Sequence, residues 1–165
     1  MALLAARVAG AGRVFVTDLS EIRLAMAKRQ GADAVLNPDG VRLGEALTEL
    51  TDGAGVDLVI DAAGSPITIQ QGVELVRRGG KIVWIGLPGE DPVAISVHQV
   101  IDKELDLLGI FRYANVYADA VRLVASGQIS LKPLVTHRFP LAETAEALLT
   151  AGRRGDSAVK VLVEV

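Results

Sequence analysis

Apolar residues recur in two rhythms along the chain. Short β-branched or near-continuous apolar runs occupy residues 13–18, 32–36, 56–61, 81–85 and 105–111. Between them, apolar residues fall at helical spacing, as Ile22, Leu24, Met26 and Ala27 do over residues 19–30. The first rhythm predicts strands and the second predicts helices. Further helices are expected over residues 41–50, from the loop at Pro66 to Arg78, and over 97–103, 116–126 and 142–152. An extended piece over 134–139 and a last strand over 159–165 complete the series. Turn chemistry separates the elements: Gly31, the cluster Asn37-Pro38-Asp39-Gly40, the pair Gly79-Gly80, and Gly86-Leu87-Pro88-Gly89.

Strands alternating with helices predict an α/β fold, a doubly wound parallel sheet covered on both faces. The run Val56-Asp57-Leu58-Val59-Ile60-Asp61 is apolar enough for a strand buried on both faces. Right-handed crossovers place the loops after the strands on one edge, where such sheets bind ligands.

The chemistry therefore has to come from those loops. Asp18 ends the first predicted strand and has two readings. It accepts hydrogen bonds from ribose hydroxyls, as an acid does at that place in a dinucleotide-binding fold, or it caps the next helix, a role Ser20 also fits. Asp61-Ala62-Ala63-Gly64 closes the third strand with residues small enough for a flat ligand to approach the backbone, and it also reads as a plain turn. Ile85, Gly86 and Leu87 have the same character at the next strand end. Arg112 and Tyr113, after Ile110 and Phe111, suit a hydroxylated or anionic ligand or a solvated edge. Gly10 and Gly12 do not follow a strand, so they are not read as a phosphate-binding fingerprint.

Composition narrows the field. The 165 residues carry a net charge of −3 and no cysteine. There is no thiolate zinc site, no disulfide and no basic stripe for nucleic acid. No apolar run approaches the ~20 residues of a membrane span. The start, residues 1–12, reads as an amphipathic helix with its turn rather than a leader, because it has no basic n-region and Arg7 interrupts it. His98 and His137 are far apart and suit surface or packing roles, so no metal site is expected. Ser65 and Ser157 lack the context of a hydrolase nucleophile. The absence of cysteine suits a cytoplasmic protein.

Several runs together resemble the zinc-dependent medium-chain dehydrogenases: Val14-Phe15-Val16-Thr17-Asp18-Leu19-Ser20, Gly31-Ala32-Asp33-Ala34-Val35, and Gly79-Gly80-Lys81-Ile82-Val83-Trp84-Ile85-Gly86-Leu87. Two more, Gly109-Ile110-Phe111-Arg112-Tyr113-Ala114-Asn115 and Lys132-Pro133-Leu134-Val135-Thr136-His137-Arg138-Phe139-Pro140-Leu141, resemble the sorbitol (polyol) branch. The resemblance implies a Rossmann-type cofactor half with NAD as cofactor. Asp18 would hold the adenosine ribose and Arg23 would lie along the adenine. Ala63, Ile85, Gly86 and Leu87 would line the nicotinamide half. Ile110, Phe111 and Arg112 would bracket its amide, and Arg112 and Tyr113 would reach the polyol. It also implies a homo-oligomer formed through the strand ending at Phe111.

The same resemblance sets expectations about what the chain omits. Residues 1–135 would be a Rossmann domain without its first strand and glycine-rich loop, and 136–165 a return segment that packs on a zinc-containing catalytic domain outside this chain. The strands of Val14 and Val59 would then flank an open place, to be relieved by the two closing up, by the 134–139 piece or the last strand over 159–165 filling it, or by association or swapping with another copy. No catalytic residue is assigned here, zinc belongs to the absent domain, and the isolated chain is expected to be inactive on polyols. Two other readings stand beside a polyol dehydrogenase. One is a non-catalytic nucleotide-binding or dimerisation module. The other is a threonine or secondary-alcohol dehydrogenase of the same family.

Overall fold

A computed structural model describes residues 1–152 and 158–165, so Ser157 lies outside the described residues. The elements run α1 (Ala2–Val8), β1 (Phe15–Thr17), α2 (Glu21–Arg29), β2 (Ala34–Leu36), α3 (Leu43–Leu50), β3 (Val56–Asp61), α4 (Pro66–Leu75), β4 (Val76–Trp84), α5 (Val97–Asp102), β5 (Asp106–Gly109), α6 (Tyr117–Ala125), β6 (Val135–Pro140), α7 (Thr144–Gly152) and β7 (Lys160–Glu164). Every strand pair is parallel. The fold is the Rossmann-type α/β architecture that the alternation predicts. Two compact units are present, Met1–Val41 with Tyr117–Val165, and Arg42–Val116.

In the first unit β1 pairs with β2, and β6 pairs with β7. Neither the 134–139 piece nor the last strand fills a place beside β1: among the described residues β1 pairs with β2 alone, and β6 and β7 form a separate two-stranded sheet. Leu3, Ala27 and Ala32 form the core, with Val14, Val16 and Val35 against it. Arg7 ties its edge. The guanidinium donates to Gly12 O and Gly31 O, both at 2.7 Å, and pairs with Asp33. Asp33 also accepts the Val14 N–H at 2.6 Å. That N–H, with Arg7 assisting, holds the Asp33 carboxyl below its ordinary value despite some desolvation.

In the second unit the strand order is β3-β4-β5, with β4 central. Its core is Val73 and Val76 at 1% exposure and Ile82 at 0%. Val59, Trp84, Val100, Leu105 and Leu107 pack around them. β3 has the predicted bounds but not the predicted burial. Leu58 is 45% exposed, because β3 is an edge of its sheet and pairs with β4 alone among the described residues.

Two boundaries differ from the sequence reading. α4 stops at Leu75 rather than at Arg78, and β4 starts at Val76. Lys103 explains the early stop. Its ammonium donates to Val73 O, Glu74 O and Val76 O, satisfying carbonyls the helix end leaves free. Gly79, at φ +65°, then donates its N–H to Lys103 O at 2.7 Å. The last strand of the sheet ends at Gly109, two residues before Phe111. Ile110 N still reaches Trp84 O at 2.9 Å, but Arg112 at φ +59° turns the chain away. No described helix is long and apolar enough to cross a membrane.

Candidate functional site

The carboxyl ends of the parallel strands carry nearly all the residues singled out by sequence. In the first unit Asp18 follows β1, with its own N–H on Leu36 O at 3.4 Å. Its Oδ1 accepts the Ser20 N–H at 2.9 Å. The cap of α2 is Ser20, whose hydroxyl accepts Arg23 N. That geometry separates the two readings of Asp18: it braces the turn but does not cap the helix. Its Oδ2 faces the Arg23 guanidinium at 3.8 Å. A carboxylate has about four acceptor positions, so this one, 30% exposed, retains capacity for a pair of hydroxyls. On this donor set the residues present fit the ribose end of a dinucleotide.

In the second unit the loops after β3 and β4 lock together backbone against backbone. A Cβ on Gly64 would come within 2.7 Å of Gly86 C and Leu87 O, and one on Gly86 within 2.3 Å of Gly64 N. The small residues seen in the sequence thus serve this loop-to-loop contact, and Gly64 also needs its φ of +65°. The contact brings Ala63 together with Ile85, Gly86 and Leu87. Ala63, Ile85 and Leu87 remain exposed at the rim, leaving a ledge of backbone and short apolar side chains that suits a flat ring.

Asp61 builds this junction; the sequence reading names it at the head of the loop motif but gives it no role of its own. It is 5% exposed. Its Oδ1 accepts Ala63 N at 3.0 Å, Gly64 N at 3.3 Å and the Thr68 hydroxyl at 3.0 Å. Its backbone oxygen accepts Ile85 N at 2.8 Å and Gly86 N at 3.0 Å. Thr68 belongs to a capping box with Ser65 at the start of α4. The signal was present in the sequence as an acid closing an apolar strand, followed by small residues and Ser65-Pro66-Ile67-Thr68.

Beyond β5, Ile110, Phe111, Arg112 and Tyr113 are all exposed. The Arg112 guanidinium lies 4.8 Å from the Phe111 ring centroid, so the two side chains stack on each other. Tyr113 is carried past the turn. His98 is exposed on α5, and His137 on β6 meets the Thr136 hydroxyl at 3.0 Å. Among the described residues no group of three or more His, Cys, Asp or Glu is placed to hold a metal. The described residues therefore do not compose a zinc site.

A groove of about 1080 Å³ lies on the opposite, amino-terminal edge of the second unit, between α3 and the start of β4. Its cations are already engaged. Arg77 binds Asp57 at 2.6 Å, Arg78 lies 3.8 Å from the Asp102 carboxylate, and Lys103 holds three carbonyls.

Known proteins place the chain. Residues 1–126 match the model of the zinc-binding dehydrogenase family. Sorbitol dehydrogenase of Bacillus subtilis (strain 168) is 39% identical over 99% of this chain and 46% of its own length. An alcohol dehydrogenase from E. coli CFT073 complexed with NADH superposes with a TM-score of 0.90, at 28% identity, over 99% of this chain and 48% of that one. A zinc-binding dehydrogenase from Sinorhizobium meliloti 1021 bound to NADP superposes with a TM-score of 0.87, at 30% identity, again over 99% and 48%. The chain spans about half the length of the relatives it matches. With a matching family model, parallel α/β units and an acid after β1, the chain belongs to the zinc-binding dehydrogenase family.

Proposed function

We propose that this chain is the NAD-binding part of a cytoplasmic polyol dehydrogenase of the sorbitol or xylitol type. The observation that carries the proposal is Asp18, a partly exposed carboxylate at the carboxyl end of β1 with acceptor capacity to spare. The sorbitol dehydrogenase relatives and the NADH-bound neighbour support the same reading.

The residues divide the work by their chemistry. Asp18 accepts the two ribose hydroxyls, and its negative charge disfavours the extra phosphate of NADP. Arg23, 3.8 Å from Asp18 and itself exposed, holds that carboxylate in place and lies along the adenine. Ala63, Ile85, Gly86 and Leu87 offer a flat apolar ledge to the nicotinamide half. Ile110, Phe111 and Arg112 bracket its amide. Arg112 and Tyr113 present donors to substrate hydroxyls. When bound, the dinucleotide supplies the acceptor for a hydride from a secondary carbinol. The zinc and the groups that relay its proton are assigned to a domain outside this chain, so the chain alone is expected not to turn over polyols.

The β5 end supports a second assignment, a homo-oligomer joined there. The outer edge of β5 is unpaired among the described residues, and Ile110, Phe111 and Tyr113 beside it are more than half exposed. An exposed edge flanked by apolar side chains suits pairing with another copy.

Calorimetric titration with NADH and NADPH tests the cofactor assignment. The unsubstituted chain is expected to bind NADH at least about tenfold more tightly than NADPH, and Asp18→Ser to erase most of that preference. Equal affinities before and after the substitution would remove Asp18 from the site.

A further inference from the structure

We propose that Asp61 is a positioning residue, which holds the loop after β3 and the loop after β4 as one unit so that Ala63 and Ile85–Leu87 present a single surface to the nicotinamide half. The proposal rests on the cofactor reading above and extends it to a residue that would touch no cofactor. Five donors converge on Asp61: two backbone N–H groups and a hydroxyl on its carboxylate, and two N–H groups from the other loop on its carbonyl. The carboxylate fixes its own loop and the start of α4, and the carbonyl of the same residue ties that loop to the one after β4. Neighbouring contacts cannot substitute for it, because the loops otherwise meet through glycine, and glycine imposes no conformation of its own.

A second observation sits next to it. Asp61 Oδ2 is buried with no hydrogen-bond partner, and so is Trp84 Nε1. The two residues are register partners on β3 and β4, so both side chains rise from the same face of the sheet. One is an acceptor and the other a donor, each costly to leave unsatisfied. Trp84 is the only tryptophan in the chain, which makes its emission a local probe of this junction.

The experiment compares the unsubstituted chain with Asp61→Ala and Asp61→Asn. It reads hydrogen exchange by peptide, Trp84 emission, and NADH affinity. Asp61→Ala is expected to speed exchange about tenfold or more over residues 62–68 and 85–87 while leaving α2 at its original rate, and to weaken NADH binding by a similar factor. Asp61→Asn keeps an oxygen for Ala63, Gly64 and Thr68. It is expected to hold both loops within about threefold of their original exchange while shifting the Trp84 emission, since an amide replaces a buried, unpartnered oxygen on the register partner of that tryptophan.

Unchanged loop exchange in Asp61→Ala overturns the proposal, as does loosened loops with unchanged NADH affinity. If Asp61→Ala loses protection throughout, Asp61→Asn decides: protected loops with shifted emission support the proposal, and unshifted emission overturns it. If the unsubstituted chain binds no NADH, the cofactor reading fails by itself, and the exchange of the two loops still decides whether Asp61 holds them together.

Discussion

The two sides of the β3-β4-β5 sheet differ in where their apolar side chains end up. Around β4 the helices close over the sheet, and Ile82, Val73 and Val76 are sealed at 0–1% exposure. From the end of β5 onward the chain is just as apolar, yet Leu108, Ile110, Phe111, Tyr113 and Val116 are 45–68% exposed. Both stretches carry side chains of similar hydrophobicity. The difference is that α4 and α5 supply a covering layer for β4, whereas nothing described in this unit supplies one for the end of β5. An apolar run therefore states that a surface needs covering, but not whether the cover comes from the same chain.

Substitutions on the two sides should break that comparison in opposite ways. The largest effect is expected from Ile82→Ala, which empties a fully buried site and should cost about 2–5 kcal/mol in denaturant unfolding. Gly86→Ala should follow, at about 1–3 kcal/mol, because its Cβ meets Gly64 backbone rather than a side chain that can swing aside. Ser65→Ala removes the hydroxyl cap of α4 and should cost about 1 kcal/mol, read as a drop in the denaturant midpoint without a change in slope. Phe111→Ser lies on the other side of the comparison. Its effect on the stability of the monomer should stay within about 0.5 kcal/mol, while sedimentation should show an oligomer weakened or lost. A sharp loss of monomer stability would mean that Phe111 is covered by its own chain.

The smallest effect concerns the first unit. Asp33 has its carboxyl lowered in the folded state, chiefly by the Val14 N–H. The unfolded chain binds that proton first as pH falls. The contribution is therefore complete above the ordinary value of 3.8 and is lost as pH drops through the lower folded value. Asp33→Asn should flatten the acid limb of a thermal-denaturation series slightly, since the group is open to solvent.

The sequence made the order of elements legible because strand and helix rhythms differ and because glycine and proline mark the joints. β3 has the bounds its apolar run predicts. Two features were not legible. The early stop of α4 depends on Lys103, distant in sequence, reaching back to three carbonyls. The burial of β3 depends on which strands flank it, and a run of apolar letters carries no record of its neighbours. The strand-end positions of Asp18, Ala63 and Ile85–Leu87 followed from the alternation of elements. The role of Asp61 was not legible, because it lies in the donors its carboxylate and carbonyl gather from residues apart in the chain.

NADH titrated into the isotopically labelled chain, followed by amide chemical shifts, tests the account most directly. Perturbations are expected at the strand ends, at Asp18, Ala63, Ile85 to Leu87 and Ile110 to Arg112, with Gly44, Thr48 and Arg77 at the amino-terminal groove undisturbed. Shifts confined to that groove, or no shifts at saturating NADH, would contradict it.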